Sequence, residues 1–516
     1  MNRLVKSRSY SLLQRLSSPQ RSLLTNTTYR TMSSTKNATA TANRRLNTTA
    51  QWLQPKRQMS TTPSHQVIAA AEQSQAEVLH RKNLGVREFV LNRPAKMNAL
   101  NTNMVRAILP ELKSWEKSDL AKIIVIKSEP GVAFCAGGDV KAVVDYASAG
   151  EHEKAAEFFK EEYQVDHFIS TLETPFVSIM DGVTMGGGVG LSVHAPFRIA
   201  TENTLFAMPE TKIGFFPDVG GSFFLSRLDG QLGVYLGLTG KRLKAADVLY
   251  SGVATHYVPS SRLPALEARL AELDNPTHDI VNGAIEEFSG ELEEEAAFSL
   301  GGDVRAAIDR CFKFDNMKDI VDAVKKEEQH PSTAAWAQET LKYLNSMSPT
   351  SLKVTLQQIR SGATLTIAQC FKMEFHLLQK FLTGHDFKEG VYKTLVHRGQ
   401  KSEWQPASLD QVDDKSIKAD YFNAPSPLTL QMISNKDFKQ YPHRKYMLPT
   451  EEDIKQVVTG EAADVGNYAL TRDEIVDYLV RDRKGKQGVK QKVAEVLLRK
   501  TKVLENEEGQ TLKWVY

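Results

Sequence analysis

Two spacings of apolar residues alternate along this chain. Val86-Arg87-Glu88-Phe89-Val90-Leu91 reads as a strand, and Asn92-Arg93-Pro94 stops it. From Asn101 to Lys117 the apolar positions Met104, Ile108, Leu112 and Trp115 recur at threes and fours, which predicts a helix. Ile123-Ile124-Val125-Ile126 is a short, continuously apolar run, as expected of a buried strand, and Glu129-Pro130-Gly131 is a turn. Phe176 to Met180 predicts another buried strand, introduced by Thr174-Pro175 and closed by Asp181-Gly182. Strands alternating with helices imply an α/β core. From about Pro264 to Leu382 the spacing turns helical, as in Ile367, Cys370, Phe371, Glu374, Phe375 and Leu378. Past Tyr421, the segment Arg481 to Lys502 carries Val489, Val493, Val496 and Leu497 at helical intervals and predicts a basic amphipathic helix. No internal repeat has a clear period.

Composition narrows the class. With 41% hydrophobic and 25% charged residues in 516, the chain can bury a large core. No apolar run approaches the ~18 residues of a membrane span, so no membrane insertion is expected. Cys135, Cys311 and Cys370 are isolated and cannot build a disulfide scaffold or a four-thiolate zinc site; no ligand spacing predicts a metal. The formal charge of +3 conceals an asymmetry: the first 71 residues hold eleven Lys/Arg and no acid, leaving about −8 for the rest. Arg-rich, Ser-rich and acid-free composition predicts a mitochondrial targeting segment over residues 1–71 without a fold of its own, and hence a place in the matrix. Arg30-Thr31-Met32-Ser33 and Arg57-Gln58-Met59-Ser60 both resemble processing sites. The alternative is a basic tail for nucleic acid or anionic lipid, but such a tail has no need to exclude acids over 71 residues.

The candidate chemistry lies in two glycine turns. Gly186-Gly187-Gly188-Val189-Gly190 lacks the spacing of a dinucleotide fingerprint, and the chain has neither a phosphate-cradling G-x-x-x-x-G-K-[ST] loop nor a Gly-x-Ser-x-Gly elbow. A flexible turn is one reading of these glycines. The other is a helix start whose bare N–H groups approach a ligand oxygen closely. Phe134-Cys135-Ala136-Gly137-Gly138-Asp139 is a similar turn about 50 residues upstream. Together the two turns could aim two N–H groups at one oxygen, as an oxyanion hole requires. Cys135 reads as a packing residue because no His pairs with it locally, and His194 as a packed or capped histidine in an apolar stretch.

The set Leu91-Asn92-Arg93-Pro94, Asn98-Ala99-Leu100, Phe134 to Asp139 and Met185 to Gly188 resembles the crotonase (enoyl-CoA hydratase/isomerase) superfamily. Met185 to His194, Phe206-Ala207-Met208-Pro209-Glu210-Thr211 and Gly214 to Gly221 resemble its 3-hydroxyisobutyryl-CoA hydrolase branch. The resemblance runs from about residue 77 to 420. It implies a spiral of ββα turns over 77–263, a helical part over 264–420 and an added extension over 421–516. It implies an acyl-coenzyme A substrate, no cofactor beyond the coenzyme A of that substrate, and thioester polarisation by the N–H groups of Gly138 and Gly187. Hydratases carry a first glutamate where this chain has Gly190, so the two-carboxylate hydration machinery is incomplete. The second glutamate is present as Glu210, and the branch adds Asp218 and Glu162. The implied reaction is hydrolysis of 3-hydroxyisobutyryl-CoA to 3-hydroxyisobutyrate and coenzyme A in valine breakdown. In it Glu210 acts as nucleophile, through a mixed anhydride, or as base for water. Asp218 binds the substrate hydroxyl or assists proton transfer to the thiolate, and Glu162 hydrogen-bonds the substrate or the neighbouring acid. One departure is His397-Arg398-Gly399-Gln400-Lys401, where the branch has an acidic stretch. The extension has nine Lys/Arg against two acids between Arg481 and Lys502, which reads either as a solvated helix packed on the core or as a basic face that meets phosphates. Proteins that resemble this hydrolase branch and carry such additions occur in the small subunit of some mitochondrial ribosomes, and that resemblance implies a second expectation: a component of the mitochondrial small ribosomal subunit that meets its RNA and proteins through residues 421–516.

Overall fold

Strand pairing determines where the chemistry can sit. The computed structural model describes residues 76–290, 298–397, 399–463, 465–466, 470–506 and 509–515; the expected targeting segment, 1–71, lies outside the described residues. Strands β1 (Val78–Asn83), β2 (Val86–Leu91), β3 (Ile123–Ser128), β4 (Phe176–Met180), β5 (Val183–Met185), β6 (Phe197–Ala200), β7 (Leu205–Ala207), β8 (Leu243–Lys244) and β9 (His256–Tyr257) form two sheets. The larger runs β1-β2-β3-β4-β6-β9, antiparallel only at β1–β2, and the smaller runs β5-β7-β8. Residues buried on both faces explain the continuous apolar runs of β3 and β4. The chain crosses from one sheet to the other at β4–β5 and again at β6–β7, and a helix, Gly187–Val193, follows the first crossing. This is the expected α/β spiral.

Helices Thr102–Glu116 and His152–Ser170 pack across the sheets, and the chain from Leu263 to Val391 is mainly helical. The helix Ile367–Thr383 lies against His152–Ser170, with Tyr163 and Phe371 rings 5.6 Å apart. Beyond residue 421 the chain does not stand apart. Leu448, Ile454, Ile475, Leu479, Val489, Val493, Val496 and Leu497 form one apolar cluster with Ala246, Leu249 and Tyr250 of the helix Ala245–Tyr250.

Two features of the extension differ from expectation. The Arg481–Lys502 stretch is not one helix: Arg472–Asp482 ends, a turn follows with Gly485 and Gly488 at φ 76° and 87°, and Val489–Lys500 begins anew. A hairpin of β10 (Thr501–Asn506) and β11 (Gly509–Trp514) then closes the chain. The basic side chains also turn inward. Lys492 bonds Asp229 at 2.7 Å, Arg499 bonds Glu451 at 2.6 Å, and Lys500 bonds Asp309 at 3.3 Å. Lys484 and Lys490 remain exposed.

Candidate active site

Three segments converge at the carboxyl ends of short parallel strands. The β5–β7 register pairs Met185 with Ala207, so the Gly186 turn starts beside Met208-Pro209-Glu210. A bridge between Cys135 and Thr184 attaches the upstream turn: Cys135 N–H donates to Val183 O at 2.9 Å and Met185 N–H to Cys135 O at 3.0 Å. A second bridge joins Leu100 to Gly138, with Leu100 N–H on Gly137 O at 2.8 Å and Asp139 N–H on Leu100 O at 2.7 Å. Residues before the turn brace it. Asn98 accepts from Arg93 N–H at 2.7 Å and donates to Ala133 O at 2.7 Å, while the Arg93 guanidinium holds Asp139 at 2.8 Å.

These contacts fix the two glycines against each other. A Cβ on Gly187 would lie 3.4 Å from the Gly138 nitrogen and would overlap the Glu162 carboxylate. Gly186 has φ 45°, ψ −119°, a backbone region that favours glycine, and a Cβ there would lie 3.1 Å from Glu210 Oε1. Among the described residues, neither the Gly138 nor the Gly187 N–H donates to a protein acceptor. The centre reaches solvent at Ala136, Gly138 and Met185, which are half-buried. Glu210, Glu162, Gly138 and Gly187 are therefore brought together, with Glu210 turned toward the glycines.

Asp218 reaches the same centre from a braced loop. The Tyr163 hydroxyl donates to Asp218 Oδ2 at 2.8 Å. Glu374 accepts from Gly220 N–H at 2.7 Å and Ser222 N–H at 2.9 Å, and Gln358 Nε2 donates to Pro217 O at 2.6 Å. His194 bonds Val219 O at 2.7 Å and the Tyr441 hydroxyl at 2.8 Å. Burial brings its pKa down to about 4, so it is a neutral brace for the Asp218 loop. Cys135 is buried, with its thiol pushed up to about 12 by burial, and packs as expected.

Among the described residues no cation pairs with these acids. Glu210 is held well above the usual carboxylate range by burial and then by the Asp218 charge. Glu162 is raised by burial, then by Asp218 and Glu210. Burial lifts Asp218 to about 7, against the Tyr163 hydrogen bond that favours its charged form. Glu210 Oε2, Glu162 Oε1 and both Asp166 oxygens are buried without a hydrogen-bond partner among the described residues. Unpartnered buried carboxyls are costly and rare, and a cluster of them with raised pKa values is a candidate functional centre.

Asp166 escaped the sequence reading. It lies one helical turn beyond Glu162 on His152–Ser170, fully buried. A Cβ on Gly190 would overlap its carboxylate. The space next to Gly190, where hydratases place a glutamate, is thus filled from a neighbouring helix. Tyr163 and Glu374 were missed as well. Asp166 offered only its one-turn spacing from Glu162, Glu374 its place as a lone acid within the apolar stripe of Ile367–Thr383, and Tyr163 no signal of its own. Among the described residues no group of three or more His, Cys, Asp or Glu is arranged to hold a metal, and no helix is long and apolar enough to cross a membrane.

Comparison with known proteins follows the same line. Residues 86–422 match the enoyl-CoA hydratase/isomerase family model. The small ribosomal subunit protein mS47 of Neurospora crassa is 46% identical over 85% of this chain and 88% of its own length. The mitochondrial 3-hydroxyisobutyryl-CoA hydrolases of Gallus gallus and Homo sapiens are each 42% identical, over 71% and 66% of this chain and 94% and 87% of their own lengths. Among solved structures, a carnitinyl-CoA dehydratase from Mycobacterium thermoresistibile superposes with a TM-score of 0.63 at 34% identity, covering 70% of this chain and 99% of that one. An enoyl-CoA hydratase from Rhodobacter sphaeroides gives 0.60 at 31%, covering 69% and 100%. A family match over more than half the chain, on a fold whose glycine turns and acids converge, places this protein in the enoyl-CoA hydratase/isomerase family.

Proposed function

We propose that this chain hydrolyses 3-hydroxyisobutyryl-CoA to 3-hydroxyisobutyrate and coenzyme A, in the mitochondrial matrix. The observation that carries the reading is the approach of Glu210 to Gly186 and of Glu162 to Gly187, beside the Gly138 and Gly187 N–H groups, which have no protein acceptor among the described residues. The Gly138 and Gly187 N–H groups hold the thioester oxygen as negative charge develops on it. Glu210 delivers the attack. Either its carboxylate adds to the carbonyl carbon, expelling the thiolate and leaving a mixed anhydride that water cleaves, or it takes a proton from water as water adds. Asp218, near 7, is poised to exchange a proton with the leaving thiolate or to bind the substrate hydroxyl. Glu162, at the edge of Gly187, hydrogen-bonds substrate or Glu210. Gly190 leaves no second hydratase glutamate, and Asp166 blocks the room for one. Hydrolysis therefore fits this centre better than hydration.

Free-thiol release from a panel of acyl-CoA esters tests the reading. The 3-hydroxyisobutyryl ester turns over fastest. Preference for unhydroxylated short acyl groups removes the substrate assignment, and crotonyl-CoA hydration removes the reaction.

A second role rests on a separate observation. Similarity to the Neurospora crassa ribosomal protein spans 85% of the chain, against 66–71% for the two hydrolases, so it extends past the family match into the extension. We infer that the chain also associates with the mitochondrial small ribosomal subunit, catalysis and assembly using different surfaces. Deleting 421–516 would strip core side chains such as Ile454 and Val493. Charge reversal at exposed Lys484 and Lys490 is the cleaner test: salt-sensitive co-sedimentation with small subunits falls, while unchanged co-sedimentation removes these lysines from the contact.

A further inference from the structure

A cavity of about 760 Å³ opens between the family fold and the extension, within the ~300–1,000 Å³ typical of small-molecule sites. Its wall carries Arg198, Arg227, Arg444, Lys455 and Lys500 against Asp229, Glu451 and Glu452. The acids are already committed. Asp229 holds Lys492 at 2.7 Å, Glu451 holds Arg499 at 2.6 Å and Arg305 at 3.1 Å, and Glu452 lies 3.5 Å from Lys455. Arg444 is paired with Asp453, and Lys500 with Asp309 and Glu451.

Arg198 and Arg227 are different. Arg198 is 3% exposed and donates to the carbonyls of Val253 at 2.6 Å, Ala195 at 2.8 Å and Gly252 at 3.4 Å. Arg227 donates to the carbonyls of Lys439 at 2.8 Å, Phe223 at 2.8 Å, Gly362 at 3.1 Å and Leu365 at 2.7 Å, and to Ser226 Oγ at 2.9 Å. Among the described residues no carboxylate pairs with either. Carbonyl dipoles orient the two guanidiniums but leave two positive charges in one wall without a counter-anion. Arg227 stacks over the Phe223 ring at 3.5 Å, that ring packs on Tyr441 at 5.0 Å, and Arg198 bonds the carbonyl of Gly252; Tyr441, Gly252 and both guanidiniums line this one cavity. A guanidinium presents five N–H donors; the carbonyls take three of them at Arg198, and at Arg227 these bonds leave one Nη2 hydrogen, so Arg198 offers the donors and Arg227 mainly its charge. Phosphate is the anion that suits paired guanidiniums. The cavity is much larger than phosphate alone requires, and Trp514 supplies a half-buried aromatic wall on which a base can stack.

We propose that this cavity binds a nucleotide, its phosphate held by Arg198 and Arg227 and its base against Trp514. The site is separate from the glycine turns and does not depend on the thioesterase reading. Free mononucleotides and a nucleotide within an RNA strand share this chemistry.

Calorimetric titration of the full chain with AMP, inorganic phosphate and a short single-stranded RNA tests it. AMP binds the wild type. Arg227→Gln weakens AMP and phosphate at least ten-fold. Trp514→Ala weakens AMP several-fold while leaving phosphate unchanged, a pattern that general destabilisation by the Arg227 change would not produce. RNA that competes with AMP identifies the source as an RNA strand, and RNA that does not compete identifies a free mononucleotide. No heat from AMP or phosphate at millimolar concentration overturns the proposal. Affinities unchanged in both variants also overturn it, because they place any nucleotide elsewhere on the chain.

Discussion

Two buried sets of carboxyls sit in this molecule under opposite conditions. At the glycine turns, Glu162, Asp166, Glu210 and Asp218 are enclosed together, no cation among the described residues pairs with them, and all four are raised above the carboxylate range. Under the extension, Glu451 is equally enclosed but lies against Arg305, Arg499 and Lys500. Burial raises its pKa, yet the cations outweigh burial and hold it at about 2. The residue type is the same and the partners decide. A buried acid with a cation fastens one part of the chain to another. A buried acid without one is held toward its neutral form, the condition in which a carboxyl is a candidate for proton exchange.

The contrast gives opposite pH dependences. Glu451 sits below its ordinary 4.5, so its ion pairs stabilise fully above that value and lose strength as pH falls toward 2. Asp218 sits at about 7, above its ordinary 3.8, so the fold favours its neutral form. That contribution is complete below about 4 and is lost as pH rises through 7. Glu451→Gln leaves three buried cations short of an anion and costs about 3–5 kcal/mol in urea unfolding. It also flattens the loss of melting temperature expected of the wild type between pH 4.5 and 2. Turnover per folded molecule stays unchanged; a matching loss of turnover would mean that the two regions are not independent.

Gly187→Ala attacks the other side of the comparison. The new methyl crowds the Gly138 N–H and displaces Glu162, so kcat/KM falls by roughly 10²-fold. An unchanged rate constant would remove these amides from the reaction. Gly190→Ala forces a methyl into the Asp166 carboxylate and costs about 1–3 kcal/mol of stability. Combining it with Asp166→Ala recovers part of that loss, and a double-mutant cycle reads the coupling. Strict additivity would show that the two residues do not compete for one space. The smallest effect is Tyr163→Phe. It removes a hydrogen bond to the charged form of Asp218, so the pH–rate inflection near 7 moves to higher pH; movement to lower pH would contradict the assignment.

Legibility in the sequence followed the range of the physics. The strands at Val86, Ile123 and Phe176 and the helices at Asn101 and Ile367 were readable because burial repeats along a single element. The two glycine turns were readable because their sequences are unusual, and family resemblance pointed to Glu210, Asp218 and Glu162. Asp166 was not readable. Its meaning depends on Gly190, 24 positions away, and on how closely two helices approach. The basic helix was half legible: its apolar stripe gave the packing on the core, while its charges pointed outward. Local charge suggests an outward face, but the acids that draw Lys492, Arg499 and Lys500 inward come from residues 229, 309 and 451. The three-residue strands β5 and β7 carry too little pattern to be seen alone, yet their register sets the site.

The central claim is that Glu210 cleaves a thioester held by two main-chain amides. Thiol release from 3-hydroxyisobutyryl-CoA by the wild type and by Glu210→Gln, measured side by side on protein with matched melting curves, tests it directly. The wild type should turn over, and the variant should lose roughly 10³-fold of that rate. Equal rates in the two proteins, or a folded wild type that releases no thiol, would contradict it.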